Sequence, residues 1–257
     1  PNKEYNKGML CDFATSQKIG TPSTQNTEVK MDAKIKQKLI KAGADLNNDG
    51  KLTQSELYEA TNGKYDAGKY IEAKITSLDL SNLGLTNIDG IQYLVGLKEL
   101  NLSHNKISNI KPLSKMMNLQ RLDLSYNNIS DISQLPNYAI NYMYDAKNNE
   151  KYINLSHNSI KNISCINNWV ITTNTAACGW QSGGDPNDRV LNLDFSYNQI
   201  EDITPVKNYL SLKELNLSNN KIKDISSLKD YNFKLNEYDG EDAEWVEALG
   251  EFKGIDL

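Results

Sequence analysis

The sequence has no long apolar run and few cysteines, and each lack argues against a class of protein. Its 257 residues are 39% apolar, and no run approaches the about 18 apolar residues that would predict a transmembrane helix. The three cysteines, Cys11, Cys165 and Cys178, form no C-x-x-C pair, which argues against a zinc ribbon or a thioredoxin-type site. We therefore predict a chain without a membrane span.

Clustered basic charge is also missing. The formal net charge is -5 and the pI is about 5.2, and the lysines occur singly between turns. Nucleic-acid binding needs grouped Lys and Arg to contact phosphates. The composition therefore predicts no nucleic-acid partner.

The N-terminal segment has no regular pattern. Residues 16–30 are polar and rich in Ser and Thr, which predicts a flexible arm over residues 1–30. The chain begins at Pro1, and this arm shows no basic-then-apolar signal sequence, so we expect that any export signal has been removed.

Internal repetition dominates the rest of the chain. The motif L-x-L-x-x-N recurs, closed by Asn105, Asn127, Asn158, Asn198 and Asn220. The first two and the last two of these asparagines are 22 residues apart, and an earlier copy has Leu83 in the same place. We therefore predict six repeats over residues 72–232.

Each repeat combines a short strand with an apolar return. The period of two puts Leu100 and Leu102 on one side of a strand, whereas the three-residue spacing of Ile107, Ile110 and Leu113 suits a 3₁₀-type or extended return. A single repeat cannot shield this apolar row from water, but stacked repeats can, and the asparagine side chains can satisfy backbone groups in the turns.

This pattern, L-x-x-L-x-L-x-x-N-x-I-x-x-I, is that of leucine-rich repeats. The stretch ISNIKPLSKMMNLQRL resembles the internalin-type repeats of Gram-positive bacterial surface proteins, and the resemblance covers roughly residues 31–232. It implies an α/β fold: a right-handed leucine-rich repeat solenoid with short parallel strands on the concave face, a 3₁₀ or irregular convex side, and a helical EF-hand-like N-terminal cap.

The repeat step widens twice, to 31 and then to 40 residues. Insertions into repeats form loops, so we place them at residues 136–151 and 170–189. Residues 233–257 leave the repeat period and predict a C-terminal cap.

A stretch before the repeats, DLNNDGKLTQSE, has the spacing of an EF-hand calcium loop. Gly50 permits the sharp reversal that aims the first oxygens at one point. The ligands would be Asp45, Asn47, Asp49, Lys51 through its carbonyl, Thr53 and Glu56. In the internalin-type proteins that the chain resembles, a small helical unit of this kind covers the first repeat and its loop is usually degenerate. Here every liganding position is intact, so we predict a cap over residues 31–71 that holds a structural Ca²⁺.

The cysteines leave two alternatives open. Cys165 lies 13 residues before Cys178, and a disulfide between them would tie the second insertion to its own repeat. Two reduced thiols are the alternative that the resemblance favours. Cys178 lies in ACGWQ, which is faintly similar to cysteine-protease surroundings, but His104 and His157 both occupy the repeat position Leu-Ser-His-Asn. We therefore predict that the chain is not an enzyme.

The variable positions of the strand face predict a binding strip. Asp or Asn fills one column of this face and Ser fills another, whereas larger side chains vary beside them. Aromatic residues and Arg are frequent anchors of protein recognition. The predicted strip is His104, Arg121, Tyr126, Tyr152, His157 and Tyr197. The alternative is that these side chains are merely tolerated on an exposed sheet.

We therefore predict a non-catalytic, monomeric bacterial protein that is secreted or held at the cell surface. It would bind a protein ligand, such as a host cell-surface protein, through a rigid face. The alternative is an intracellular leucine-rich repeat subunit similar to phosphatase regulators, which would need no calcium. A secretory signal in the precursor would distinguish the two.

Overall fold

A computed structural model describes residues 27–66, 69–136, 151–168, 191–208 and 212–228. Nearly all of the two predicted insertions, the predicted C-terminal cap and most of the predicted arm lie outside these residues. No helix within the described ranges is long and apolar enough to cross a membrane.

In the described part of the chain, two helices and a hairpin come first. Helix α1 spans Ala33–Lys41 and helix α2 spans Gln54–Asn62, and strands β1 (Lys64–Asp66) and β2 (Lys69–Ile71) pair antiparallel. The Thr53 side chain accepts a hydrogen bond from the Glu56 N–H, and the Glu56 carboxylate accepts one from the Thr53 N–H at 2.9 Å. This reciprocal capping box explains why α2 begins where it does.

The repeats form one parallel sheet of six strands in chain order. The strands are β3 (Ser77–Asp79), β4 (Glu99–Asn101), β5 (Arg121–Asp123), β6 (Lys151–Asn154), β7 (Leu191–Asp194) and β8 (Leu212–Asn216). Their central residues are in register, for example Leu78 with Leu100 and Leu100 with Leu122. The predicted solenoid with one strand per repeat is confirmed.

The returns are built from 3₁₀ turns, as the three-residue spacing predicted. They span Ile91–Tyr93, Lys111–Leu113, Ser164–Asn168, Thr204–Asn208 and Ser226–Leu228. Ile107, Ile110, Leu113 and Met116 are all buried, and the 3₁₀ turn Lys111–Leu113 lies in the middle of this apolar row. The apolar rows of successive repeats together form one continuous core.

The repeat asparagines join neighbouring repeats. Asn127 is buried, its Oδ1 accepts from the Ile107 N–H at 2.9 Å, and its Nδ2 donates to the carbonyls of Leu102 at 3.0 Å and Leu124 at 3.1 Å. Ile107 and Leu102 belong to the preceding repeat, whereas Leu124 belongs to the same one. The remaining repeat asparagines make the same bonds: Asn105, Asn158, Asn198 and Asn220.

The cap packs directly on the first repeat. The Ile75 N–H donates to the Ala60 carbonyl at 2.9 Å, and Gln54 Nε2 donates to Tyr93 Oη at 2.9 Å. A Cβ atom at Gly96 would collide with the Thr61 carbonyl oxygen at the end of α2. Glycine at this position therefore permits the close approach of the cap to the repeat.

Residues 28–30, which the sequence assigns to the arm, pair with the cap loop. Glu28 forms an antiparallel bridge with Thr53, and the Val29 N–H donates to the Leu52 carbonyl at 2.7 Å. Leu52 is the apolar anchor of the loop, which a second EF-hand normally pairs with. In this chain the preceding segment pairs with it instead.

Replacing a repeat asparagine should weaken the fold far more than replacing an exposed one. Asn127→Ala leaves the buried Ile107 N–H unpaired and removes the Asn127 donor to the Leu102 and Leu124 carbonyls. The Leu102 carbonyl keeps its bond from Asn105 Nδ2, so the unpaired N–H and the two lost bonds together should cost about 2–4 kcal/mol in the free energy of unfolding. Asn109→Ala is the control, since its exposed side chain accepts only from the Lys111 N–H at 3.0 Å and should cost about 1 kcal/mol or less. Urea unfolding followed by circular dichroism measures both, and equal losses would contradict the role of the buried amide.

Gly96→Ala should separate the cap from the first repeat. We expect a destabilisation of about 1–3 kcal/mol from the steric clash and faster hydrogen exchange at the Ile75 amide. Gly84→Ala is the control. The φ of +67° at Gly84 makes alanine unfavourable, but an added Cβ atom would lie 4.0 Å from its nearest neighbour, Lys34 Nζ. The Ile75 amide should therefore keep its protection from exchange. Unchanged exchange in Gly96→Ala would show that the cap tolerates the added methyl group.

A candidate protein-binding surface

Each strand of the parallel sheet ends in a turn built by its own side chains. Asp123 Oδ1 accepts from the Ser125 N–H at 2.9 Å, and Asn101 Oδ1 accepts from the Ser103 N–H at 3.0 Å. The same bond lowers the pKa of Asp79, whose carboxylate accepts from Ser81. The residue after each serine then adopts a left-handed conformation, with φ between 52° and 57° in all six repeats: Asn82, His104, Tyr126, His157, Tyr197 and Asn219.

The backbone ladder of the sheet continues through these left-handed residues. The His104 N–H donates to the Ser125 carbonyl at 3.0 Å, and the Tyr126 N–H donates to the Ser156 carbonyl at 3.1 Å. Parallel strands are about 4.8 Å apart. Consecutive side chains in this column are therefore separated by about one strand spacing, which is close enough for aromatic rings to stack face to face.

The four central side chains of the column form an aromatic stack, which consists of His104, Tyr126, His157 and Tyr197. Ring centroids are separated by 4.2, 4.0 and 4.1 Å in order along the solenoid, and adjacent ring planes differ by only 10–11°. Each ring is thus held face to face by its neighbours.

The stack presents ring edges to solvent. Tyr126 is 45% exposed and Tyr197 is 50% exposed, although both faces of Tyr126 are covered by histidine rings. A ligand therefore meets the phenol and imidazole edges, which can exchange hydrogen bonds.

A second group lies at the opposite ends of the strands. Arg121 Cζ lies 4.3 Å from the centroid of the Tyr152 ring, and Arg121 Nε is 3.8 Å from the Glu99 carboxylate. These three residues are neighbours in the sheet register. The Asp/Asn and Ser columns lie between this group and the aromatic stack.

The structure therefore brings the six residues of the predicted strip into two groups, the aromatic stack and the Arg121–Tyr152 pair. Whether they bind a partner remains a prediction. The repeat pattern predicts the column of His and Tyr but does not predict that their rings stack. A signal was available: Asn82 and Asn219 occupy the same column, and asparagine is favoured in left-handed turns.

The cap loop places the predicted calcium ligands around its own backbone. Asp45 Oδ2 accepts from the Gly50 N–H at 2.9 Å, Asn47 Oδ1 accepts from the Asp49 N–H at 2.9 Å, and Asp49 Oδ1 accepts from the Lys51 N–H at 2.8 Å. These are hard oxygen donors of the kind that calcium prefers.

The remaining carboxylate of the loop has another role. Glu56 Oε2 accepts from the Thr53 hydroxyl at 2.8 Å as part of the helix cap. In the part of the chain that the structure describes, no three His, Cys, Asp or Glu side chains are close enough to hold a metal. The loop therefore has suitable donors, but calcium would have to draw them together.

Two buried or half-buried ionisable groups in the described part of the chain, Lys151 and Cys165, are not members of the predicted strip. Burial raises the pKa of the Cys165 thiol to about 11, with a further contribution from Asp131, so this thiol is a poor nucleophile. The structure has Cys165 as a free thiol and gives no support to a disulfide with Cys178, which itself lies outside the described residues. Burial and the charge of Lys98 lower the pKa of Lys151 to about 8.

Comparison with known proteins locates the repeats. A family model for leucine-rich repeats in two copies matches residues 95–137 and 189–230. No curated protein matches the chain significantly. Among solved structures, internalin C2 from Listeria monocytogenes is similar over 68% of this chain and 77% of its own, with 26% identity and a TM-score of 0.38. The Listeria monocytogenes internalin inlF is similar over 78% of this chain and 66% of its own, with 24% identity and a TM-score of 0.27.

The TM-scores of both solved structures are below 0.5. The fold is therefore identified from the repeats themselves. The residues that match the family model include four of the six parallel strands, β4, β5, β7 and β8. The central residues of all six strands are in register, and an asparagine side chain links every later repeat to the one before it. The chain therefore folds as a leucine-rich repeat solenoid.

Proposed function

We propose that the chain binds a protein partner through the outward side of its parallel sheet, with the aromatic stack and the Arg121–Tyr152 pair as anchors. Leucine-rich repeat solenoids are scaffolds whose extended faces bind other proteins. The observation that carries the proposal is the left-handed column, in which four aromatic rings replace the asparagines found at both ends.

Tyrosine in this column is energetically unfavourable on its own. A left-handed residue with a side chain costs on the order of 1–2 kcal/mol, and Asn and His tolerate this conformation better than Tyr. Ring stacking offsets part of the cost, at about 0.5–1.5 kcal/mol for each pair. Because Asn82 and Asn219 fill the same place at lower cost, Tyr126 and Tyr197 favour a functional role over chance tolerance.

The stack is also well suited to recognition. Each inner ring is held between two neighbours about 4 Å away, so little side-chain freedom remains to be lost on binding. Ordering a mobile side chain at an interface costs about 0.5–1.5 kcal/mol. A surface ordered beforehand binds more tightly for the same contacts.

We further propose that the chain is a secreted or surface-attached bacterial protein and that its partner is a host cell-surface protein. The internalin-type form of the repeats supports this proposal. A precursor without a secretory signal would favour the intracellular regulatory alternative instead.

We also propose that the cap loop binds a structural Ca²⁺ through Asp45, Asn47, Asp49, the Lys51 carbonyl, Thr53 and Glu56. The intact spacing of these donors supports it, as does the inward orientation of the Asp45 and Asn47 oxygens. Because Glu56 also caps α2, calcium would stabilise the junction of loop and helix without altering the repeats.

Asparagine is the residue at both ends of the column. Replacing Tyr126 and Tyr197 with asparagine should therefore abolish partner binding without unfolding the protein. We expect the double variant Tyr126→Asn, Tyr197→Asn to stay within about 1 kcal/mol of the parent in stability, because better left-handed preference offsets lost stacking. Pull-down from host-cell surface extracts should recover a partner with the parent and little with the variant.

The control for that experiment is Tyr70→Asn, since Tyr70 is 47% exposed on the cap hairpin and lies outside the proposed surface. It should retain the partner. Equal recovery by the parent and the double variant would remove the aromatic stack from the interface.

Calcium should stabilise the protein through the cap. If the loop binds in the range of extracellular modules, 5 mM calcium should add about 1–2 kcal/mol to the stability, seen as a higher melting temperature than in chelator. Asp49→Asn should reduce the increase, since it removes one negative charge from the ligand set while Asn can still accept from the Lys51 N–H. Identical melting curves of the parent in chelator and in calcium would contradict the site.

A further inference from the structure

The outward side of the parallel sheet carries an excess of negative charge. The first and last residues of the short strands point outward, while the central residue is buried. These outward positions hold five carboxylates and one guanidinium: Asp79, Glu99, Asp123, Asp194, Glu214 and Arg121. Arg121 already lies against Glu99 and Tyr152, so its charge is partly compensated within the face.

The opposite side of the repeats does not share this excess. Within the described residues that follow β3, the returns and turns outside the strands expose seven lysines and five carboxylates. Among the described residues of the repeats, the acidic excess therefore lies on the strand face, where its potential acts on whatever docks there. A like-signed segment would be repelled and an oppositely charged segment attracted.

The aspartates of this face keep acceptor capacity after building their turns. Each turn uses one oxygen, as Asp123 Oδ1 accepts from the Ser125 N–H. The second oxygen can accept from the side, as Asp194 Oδ2 does from Asn216 Nδ2 at 3.3 Å. Carboxylates accept and do not donate, and their strongest partners are ammonium and guanidinium groups.

The aromatic stack bordering these carboxylates limits the alternatives. Sugars and nucleobases that recognise aromatic residues by stacking need an open ring face. At Tyr126 and His157 both faces are covered by neighbouring rings, and at His104 and Tyr197 one face is covered. The centre of the stack therefore offers ring edges beside a column of carboxylates.

We propose that the partner meets this surface with a segment rich in lysine or arginine, whose cationic groups bind Asp123 and Asp194 while its remaining atoms contact the edges of the aromatic stack. The inference depends on the proposed function of the same surface and names the chemistry of the partner. Association would be accelerated by attraction and would weaken as salt screens the charges.

The test uses a phage-displayed library of random peptides selected on the full chain. We expect the enriched peptides that bind this surface to carry a net positive charge. The double variant Asp123→Asn, Asp194→Asn should bind them on the order of fivefold or more weakly at physiological salt, and the difference should shrink in high salt. This variant should keep its turns, because Asn101 and Asn154 make the same bond at 3.0 Å in neighbouring repeats.

A matched control removes the same amount of negative charge from the returns instead of the strand face. Asp131→Asn, Asp202→Asn removes two carboxylates from the returns, where Asn109 and Asn162 already form the equivalent turn, and it should leave peptide affinity unchanged. An equal loss in this control would overturn the inference, since it would show attraction by net charge alone.

The remaining outcomes separate the inference from the proposed function. One outcome is a set of neutral or acidic peptides that lose affinity with Tyr126→Asn but are insensitive to Asp123→Asn. This outcome would overturn the proposal of a cationic partner and would still support the proposed binding surface. If no enriched peptide responds to Tyr126→Asn, the proposed binding surface itself fails, and the inference fails with it.

Discussion

The asparagine side chain that joins each repeat to the one before it sets the geometry of the whole sheet. In Asn127 the amide bonds both to its own repeat and to the preceding one, so the two repeats cannot slide against each other without leaving buried polar groups unpaired. This constraint fixes the strand register, and the register fixes which side chains become neighbours. The order of the aromatic stack is a consequence of that register, because one ring is supplied by each repeat.

The same turn combines structural and recognition roles without conflict. Its Asp or Asn and its Ser are nearly constant along the chain because they build the turn with local hydrogen bonds. The next residue projects from a left-handed position and takes no part in those bonds through its side chain. It is therefore free to vary, and here four repeats use it for His and Tyr. Variation is concentrated where the backbone tolerates it and where a partner can reach.

Much of the fold could be predicted from the sequence because the repeat pattern indicates which apolar side chains must be buried. The 22-residue step, the L-x-L leucines and the three-residue spacing of Ile107, Ile110 and Leu113 predicted the parallel strands and 3₁₀ returns that are present. The pairing of Val29 with Leu52 could not be predicted this way, because one isolated backbone bond carries no periodic signal. The stacking of His104 on Tyr126 was missed for a related reason: ring orientation depends on the left-handed turn, which the strand period does not describe.

The candidate site shows what repetition can and cannot specify. Repetition brings equivalent positions within one strand spacing of each other, so any planar side chains in the column after Ser will stack whether or not a partner exists. Stacking alone is therefore weak support for function. The stronger argument lies in the choice of residue, since Asn82 and Asn219 show that the column accepts a residue better suited to its backbone. Tyr126 and Tyr197, at two of the four positions between them, are costlier for folding, and an interface is the physical role that would retain them.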